Sequence, residues 1–283
     1  MLKTYKWLLL FLVTLTIGTS PMLSARTVIT NGESVFYSNI ALGCNHALNQ
    51  ARQKAQILLG TAKIYSFQSK SCKSDMDSAG CILDKYSTLT FDSIITKEKK
   101  LKEEITSTQI QEENIYTCEV QYEFDVEAIN SYSNIFYEFT MNQETFLAPL
   151  TPVGQDITKD DQRFPELIVN IQANKPFYFY LFQQLDYLTD KKNIFLLYPN
   201  DIDNERVINH STSIPINKEQ YQFKISFPKD VDEPSIVVPL IGIIAEEKIS
   251  TPDLISFEQL GQLLLNNQSK VNFFQKFYTV YKK

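Results

Sequence analysis

The most regular hydrophobic pattern in the chain is a strict alternation over residues 116–126. Polar or charged residues separate six apolar positions, which are Tyr116, Cys118, Val120, Tyr122, Phe124 and Val126. A period of two residues is typical of a β-strand with one buried face and one solvated face. We therefore predict a strand here and expect the side chain of Cys118 to point into the core.

An amphipathic helix is predicted between Asn45 and Gly60, earlier in the chain. Asn45 belongs to the residue types that cap the start of a helix, and Gly60 to those that end one. One face of this helix carries the small or apolar residues Ala47, Leu48, Ala51, Ala55, Leu58 and Leu59. Strands at residues 35–37, 89–95 and 105–110 would complete a small sheet under the helix, with the charged residues 97–104 as a hairpin connection.

Aromatic segments separated by Pro, Asp and Asn turns make up the chain from residue 134 onward. Strands are predicted at residues 136–140, 167–171, 177–182, 194–198, 221–227 and 236–244. Ser256 and Gln259 form a capping box for one late helix. Residues 273–280 are predicted to form a closing strand, with a helix as the alternative. Many short strands with turns between them are typical of a β-sandwich.

The first 25 residues have the order of a secretory signal peptide. Lys3 and Lys6 precede an apolar run over residues 7–17, and small residues lead to Ala25. The run is roughly half the ~20 residues that a membrane span needs, so cleavage near Ala25 is favoured over an uncleaved anchor. Cys44 follows residues that resemble a lipoprotein cleavage box, but it lies too far beyond the apolar run for lipidation. We expect a periplasmic or secreted protein with no later membrane span.

Two domains are therefore predicted after the signal peptide at residues 1–25. Residues 26–130 form an α+β domain in which a helix packs on a small antiparallel sheet. Residues 131–283 form a mainly β, sandwich-like domain. No internal repeat and no low-complexity linker interrupts either region.

All four cysteines lie in the predicted α+β domain, at Cys44, Cys72, Cys81 and Cys118. An even number after an export signal predicts two disulfides, for which three pairings are possible. Cys44 at the predicted helix start and Cys118 on the buried face of its strand can meet, whereas Cys72 and Cys81 flank a polar loop. We predict the pairs Cys44–Cys118 and Cys72–Cys81. The absence of a CxxC pair argues against a zinc site.

Charge and motifs argue against several function classes. The chain has 27 Lys and Arg against 33 Asp and Glu, a formal net charge of −6, whereas nucleic-acid binding needs clustered basic residues. The lysines at residues 97–102 alternate with glutamates and predict a solvated edge, with a partner-docking patch as the alternative. Common hydrolase and phosphate-binding motifs are missing, and neither His46 nor His210 has an evident catalytic partner. We expect no cofactor and no metal.

A possible interaction edge is predicted where an aromatic strand ends in a Pro-Asn turn and an acidic loop. Its residues are Tyr198, Pro199, Asn200, Asp201, Asp203 and Glu205. Proline cannot continue a strand ladder, so Tyr198 would lie at the rim of the sheet. The alternative is that Tyr198 is a core aromatic residue and the turn is structural. The acidic residues have calcium-loop spacing, but Arg206 occupies the position where such a loop needs glycine.

Two family resemblances bear on the cellular location of the protein. Residues 134–283 resemble an uncharacterised bacterial envelope domain through the successive segments FYFYLF (177–182), LLYPN (196–200) and SIP (213–215). Residues 28–126 are similar to the amino-terminal domain of flagellar assembly protein T and of related envelope lipoproteins, through an Ala-rich helix and a late strand. The four cysteines depart from that pattern. The resemblances imply an envelope location beside export or signalling modules.

These observations predict an exported, non-catalytic envelope protein that acts as a protein-interaction or assembly module. Its partner would be another envelope protein and not a nucleic acid. A periplasmic ligand-binding or sensory module is one alternative, and it would show a concave aromatic pocket around the strands at residues 178–198. An unrecognised hydrolase is the other, and it would show a polar cleft holding His46 or His210 beside a carboxylate.

Overall fold

The computed structural model describes residues 26–58, 63–72, 81–90, 93–110, 113–128, 135–152, 157–190 and 192–283, with the backbone only for 63–72, 81–90, 110, 113 and 128. The predicted signal peptide, the helix end at Gly60, the loop at residues 73–80 and the domain boundary near residue 130 lie outside the described residues. Sheet dominates the described part, as predicted, with sixteen strands and two helices. Neither of these helices has the length and apolar character of a membrane span.

The elements follow one another in chain order. They are β1 (Arg26–Phe36), α1 (Ile40–Leu58), β2 (Lys63–Cys72), β3 (Cys81–Thr90), β4 (Ser93–Ile110), β5 (Glu113–Ala128), β6 (Tyr137–Met141), β7 (Thr145–Ala148), β8 (Glu166–Leu167), β9 (Val169–Ala173), β10 (Tyr178–Gln184), β11 (Lys192–Tyr198), β12 (Ser211–Ile214), β13 (Phe223–Lys224), β14 (Ser235–Ala245), β15 (Leu254–Ser256), α2 (Phe257–Asn266) and β16 (Val271–Lys282).

The first half of the chain forms an antiparallel sheet in the order β1-β5-β4, with α1 against one face. The alternation in β5 is confirmed, because Cys118, Val120, Phe124 and Val126 are buried. The small residues of α1 let the helix lie close to the sheet. At Gly32 in β1, an added Cβ would lie 1.7 Å from the carbonyl oxygen of Ala47, so only glycine fits this contact.

The helix begins five residues earlier than Asn45, so the predicted cap is wrong. The side chain of Asn39 accepts a hydrogen bond from the backbone N–H of Leu42 at 2.8 Å and caps α1 at Ile40. Asn45 lies inside the helix, and its amide donates to the carbonyl of Asp186 at 2.6 Å. The prediction that Leu58 lies on the buried face is also wrong, because its side chain is 65% exposed.

The charged residues 97–104 are also not a connection, because β4 runs through them without interruption. Two register shifts, between Ile95 and Lys97 and between Lys100 and Lys102, interrupt the pairing of β4 with β5. Charged side chains attract across the ladder, as between Lys99 and Glu123 at 3.6 Å. Residues 101–109 are all exposed, so no hydrophobic period marks this part of the strand.

The second half contains a six-stranded sheet in the order β15-β11-β10-β14-β16-β7 and a three-stranded sheet in the order β12-β9-β6. A hydrophobic cluster joins them, with Val169 and Ile171 from the small sheet against Phe179, Val238 and Phe274 from the large one. Helix α2 covers the other side of the large sheet through Leu260 and Leu264. The central strands β10 and β14 are therefore buried along most of their length.

Local predictions for this half have mixed outcomes. The capping box of Ser256 and Gln259 is present at the start of α2. The last segment is a strand, β16, and the helical alternative for it is wrong. The strand predicted at residues 221–227 shrinks to the two residues of β13, which pair Phe223 with Leu167 and Lys224 with Glu166, and to an isolated parallel bridge between Phe227 and Leu150.

Close contacts join the two halves of the chain. The carboxylate of Glu233 accepts hydrogen bonds from three successive backbone N–H groups just before α1, including that of Asn39 at 3.1 Å. Helix α2 approaches β4 so closely that a Cβ on Gly261 would lie 2.1 Å from the carbonyl oxygen of Ile95. Apolar residues continue the contact, since Leu42 and Ile94 belong to clusters formed mainly by the second half.

Candidate functional site

One predicted disulfide is confirmed. Cys44 and Cys118 are bonded, with their Cα atoms 5.3 Å apart, and Cys118 is fully buried between α1 and the sheet. Cys72 and Cys81 are direct partners in the ladder of β2 and β3. Their side chains lie outside the described ones, so the second disulfide stays a prediction.

The predicted interaction edge is largely turned inward. Tyr198 is 1% exposed and packs in the main hydrophobic cluster, so it is not at the rim of the sheet. A cis peptide bond joins it to Pro199. Asn200 organises the following loop, because its side-chain oxygen accepts from the backbone N–H groups of Ile202 and Asp203 at 3.0 and 2.8 Å.

Asp203 is the structural centre of this loop. The residue is 2% exposed, and its carboxylate accepts hydrogen bonds from the backbone N–H of Ile216 at 2.6 Å and from the hydroxyl of Tyr221 at 2.8 Å. The backbone and side chain of Asn217 donate to the same carboxylate. The carboxylate of Asp203 is therefore hydrogen-bonded to groups of the same chain and is not exposed to a partner.

Glu205 is held by neighbours as well. It accepts a hydrogen bond from the hydroxyl of Tyr180 and pairs with Lys248 at 2.5 Å. Burial of Tyr180, together with the nearby Glu205 carboxylate, raises the pKa of that phenol. Asp201 is the acidic residue of this group that is exposed at the surface. Of the residues in the predicted edge, only Asp201 is exposed, and Pro199 and Asn200 are half-buried.

The edge strand β1 is a surface that the hydrophobic pattern does not distinguish. It has eleven residues and pairs with β5 on one side, residue by residue and without a register shift. Outward-facing Ile29 and Val35 are 55% and 37% exposed. The carbonyl oxygen of Asn31 accepts a hydrogen bond from Lys54 at 2.8 Å, so an acceptor on this strand is accessible to a donor from outside the sheet.

The outer face of the β12-β9-β6 sheet carries a polar groove. Strand pairing aligns two rows of outward side chains across the three strands. The first row is Glu138, Gln172 and Ser211, and the second row is Thr140, Asn170 and Ser213. Together they line a concave space of about 330 Å³.

Hydrogen bonds within each row fix these side chains. The amide of Gln172 donates to Glu138 at 2.7 Å, and the hydroxyl of Ser213 donates to Asn170 at 2.6 Å. An adjoining concavity of about 450 Å³ shares Glu138, Gln172 and Ser211, so the two spaces form one groove.

An exposed aromatic ring stands at one end of this groove. Phe136 is 77% exposed and lines the second concavity. Its backbone is fixed on both sides by Asn174, whose side-chain oxygen accepts from the N–H of Phe136 at 2.9 Å and whose own N–H donates to the Phe136 carbonyl at 3.0 Å. The ring is therefore attached to a rigid backbone.

The two histidines occupy different environments. His46 lies on α1, where burial lowers the pKa of its imidazole to about 4. His210 is exposed and lines the groove together with Glu138 and Ser211. The histidine and the carboxylate that the hydrolase alternative names therefore line the same groove. Within the described part of the chain, no hydrogen bond joins His210 to Glu138 or Ser211.

A buried polar cluster at the junction of the two halves is another feature missed from sequence. The carboxylate of Asp186 accepts hydrogen bonds from Asn49 of α1 at 2.7 Å and from Gln184 at 2.6 Å. Burial raises the pKa of Asp186 to about 6, against the smaller opposing effects of these bonds and of the Arg52 charge. Gln184 is two residues away, but Asn49 is 137 residues away in sequence, so no local pattern could reveal the cluster.

The polar groove did leave a trace in the sequence. Each of its strands places polar residues at alternate positions, as in Glu138 and Thr140 or Asn170 and Gln172, and that period predicts an exposed face. The order of the strands in the sheet could not be predicted from the sequence. Without that order, the three polar faces could not be assigned to one surface.

Comparison with known proteins adds no relative. No family model, no curated protein and no solved structure matches the chain.

Proposed function

We propose that this chain is an exported, non-catalytic protein of the bacterial cell envelope that joins another envelope protein by strand addition at β1. The contrast between the two long edges of the β1-β5-β4 sheet carries the proposal. An exposed strand edge presents unpaired N–H and C=O groups to other chains, and proteins blunt such edges with lysines, bulges or very short strands.

The opposite edge, β4, has these protective features. It carries Lys97, Lys99, Lys100 and Lys102, and two register shifts interrupt its pairing. The large sheet ends in strands of only three and four residues, β15 and β7. Strand β1 has no lysine, no proline and no register shift over its eleven residues.

An extended segment of a partner fits such an edge through backbone hydrogen bonds, with specificity from alternate side chains. The outward row on β1 offers Ile29 and Val35 as apolar contacts beside Glu33 and Asn31. This row would contact the side chains of an added strand. Such a contact agrees with an interaction or assembly module and needs no catalytic group.

Export and the finer architecture belong to the same proposal. The Cys44–Cys118 disulfide is compatible with an oxidising compartment such as the periplasm. We propose an α+β domain over residues 26–130 and a sandwich-like domain over residues 131–283, each with its own sheets. The resemblances to an envelope domain and to flagellar assembly protein T favour an envelope partner without identifying it.

Affinity capture from envelope extracts tests the β1 edge. We compare the wild-type protein with the double variant Ile29→Lys, Val35→Lys, which places two charges on exposed positions of β1. Because both side chains are exposed, the melting temperature should stay unchanged while the specific partner is lost. The matched control is Thr106→Lys, Gln109→Lys, which adds the same charges to exposed positions of β4 and should keep the partner.

Amide hydrogen exchange on the captured complex gives a second readout. Strand addition should protect the N–H groups of β1 that point away from β5, because they gain carbonyl partners. Capture that survives the β1 lysines and is lost with the β4 lysines would contradict the proposal. So would a complex in which β1 exchange is unchanged.

A further inference from the structure

We infer that the polar groove on the β12-β9-β6 sheet binds a neutral oligosaccharide. The inference concerns a different face from the β1 edge and does not depend on it. Three features of the groove carry it, namely a grid of hydrogen-bonding side chains, one exposed aromatic ring and the composition of its charged groups.

The grid offers donors and acceptors at regular intervals. Neighbouring strands lie about 4.8 Å apart, and rows two residues apart lie about 6.6 Å apart along each strand. The rows Glu138–Gln172–Ser211 and Thr140–Asn170–Ser213 thus present carboxylate, amide and hydroxyl groups over a surface several sugar rings in size. Planar amides and carboxylates can each contact two adjacent hydroxyls of one ring.

Much of the hydrogen-bonding capacity in these rows remains available to a ligand. An ionised carboxylate has two oxygens and a side-chain amide has two donors and an acceptor. Glu138 accepts one bond from Gln172 and Asn170 accepts one from Ser213. These internal bonds orient the groups in advance, so less conformational freedom is lost when a ligand binds.

Phe136 supplies the apolar contact that sugars need. Pyranose rings have an apolar C–H face, and such faces pack against aromatic rings because the ring faces carry partial negative charge. At 77% exposure, Phe136 is the most exposed large hydrophobic side chain in the described part of the chain. Its two backbone bonds to Asn174 hold the backbone carrying the ring at the end of the grid.

Charge selects a neutral ligand over an anionic one. Among the described residues that line the groove, none is Lys or Arg, and Glu138 contributes a carboxylate. A phosphate or uronate would therefore meet the Glu138 carboxylate with no Lys or Arg among these described residues to pair with, and His210 is the one lining side chain that can carry a positive charge.

A bound peptide fits this groove less well. Peptides add to sheets at edges through backbone groups and use apolar pockets for their side chains. The groove instead lies on a sheet face, where the backbone is already paired and the outward side chains are polar.

Titration calorimetry with the full mature chain tests the inference. The probes are cellohexaose, maltohexaose, mannohexaose and the fully N-acetylated chitohexaose, with hexagalacturonate as the anionic probe. At least one neutral hexamer should bind saturably, and Phe136→Ala and Asn170→Ala should each weaken that binding at least about tenfold. Both residues are exposed, so melting temperatures should not change.

Matched controls separate the groove from general surface effects. Leu147→Ala removes another exposed apolar side chain, on β7, and Gln109→Ala removes an exposed amide on β4. Neither should alter affinity. The inference is overturned if no neutral hexamer binds at millimolar concentration, if hexagalacturonate alone binds, or if Phe136→Ala and Asn170→Ala bind as the wild type does. Capture of extended peptides that is lost in Phe136→Ala, with no sugar bound, would overturn it too.

Discussion

The guanidinium of Arg52 lies over the ring of Phe257, with its Cζ atom 4.0 Å from the ring centroid. This contact joins α1 to α2 and thereby the first half of the chain to the second. The same guanidinium makes two parallel hydrogen bonds to Glu98, at 2.9 and 2.8 Å. Arg52 thus forms an ion pair with Glu98 and a cation–π contact with Phe257. Both contacts use the planar shape of its guanidinium group.

Replacing Arg52 should destabilise the protein strongly. Arg52→Ala leaves the largely buried carboxylate of Glu98 without its partner, so we expect a loss of about 3–5 kcal/mol in the free energy of unfolding. Arg52→Lys retains the charge but loses the second hydrogen bond and the stacked plane, so its loss should be smaller. Urea denaturation measures both.

A double-mutant cycle isolates the ring contact. With Phe257→Ala as the second change, we expect a coupling energy of about 1–2 kcal/mol for a partly desolvated cation over a ring. Lys99→Ala is the control, because it removes the exposed ion pair between Lys99 and Glu123. This change should lower the free energy of unfolding by less than about 1 kcal/mol. A coupling energy near zero would show that Arg52 and Phe257 are only neighbours.

Loss of the confirmed disulfide should be costly. The Cys44–Cys118 bond closes a loop with a sequence separation of 74, so Cys118→Ala should lower the free energy of unfolding by about 2–5 kcal/mol. It should also release one thiol, measurable by alkylation and mass spectrometry. Cys81→Ala should cost less, because the predicted Cys72–Cys81 pair closes a much shorter loop. A peptide linking Cys44 to Cys72 would contradict both pairings.

Part of this fold could be predicted because its determinants are local. The period-two apolar pattern of β5 fixes which face is buried, and from that the direction of Cys118 follows. The capping box at Ser256 depends only on residues three positions apart. In both cases the prediction depends only on the spacing of residues within one short segment.

Other features could not be predicted because their partners are distant. Asn39 and Asn45 are both suitable helix caps, and the choice depends on where β1 ends. Asp203 resembled an exposed acid, yet its burial depends on donors at Ile216 and Tyr221. The strand through residues 97–104 was missed because nearly all of these residues are charged and exposed, so no hydrophobic period marks the strand.

The buried carboxylate of Asp203 should be important for stability. Asp203→Asn keeps the shape but places an amide against backbone and hydroxyl donors, so we expect a loss of about 2–4 kcal/mol. Asp201→Asn is the matched control and should change stability by less than about 0.5 kcal/mol, because Asp201 is exposed. Thermal and urea denaturation compare the two. Equal stability of the variants would mean that the loop tolerates loss of the charge, and Asp203 could then serve recognition.

Asp186 should make the junction of the two halves sensitive to pH. Its pKa is about 6 in the folded protein because of burial, whereas an unfolded aspartate has a pKa near 3.9. Between about pH 4 and pH 7 the folded state therefore holds this proton more tightly than the unfolded chain. Stability must fall as the pH rises through this window, by roughly 2 kcal/mol for this single group, and must level off on either side.

The variant Asp186→Asn should remove this dependence, because an amide does not titrate. The neighbouring Gln184 can adapt, since its buried side-chain oxygen has no hydrogen-bond partner among the described residues and can accept from the new amide after a flip. Urea denaturation at about pH 4, 5, 6 and 7 should show the wild type losing about 2 kcal/mol more than the variant across the series. Asp201→Asn should follow the wild-type slope. Equal slopes for Asp186→Asn and the wild type would mean that Asp186 ionises without cost and that its burial does not govern the junction.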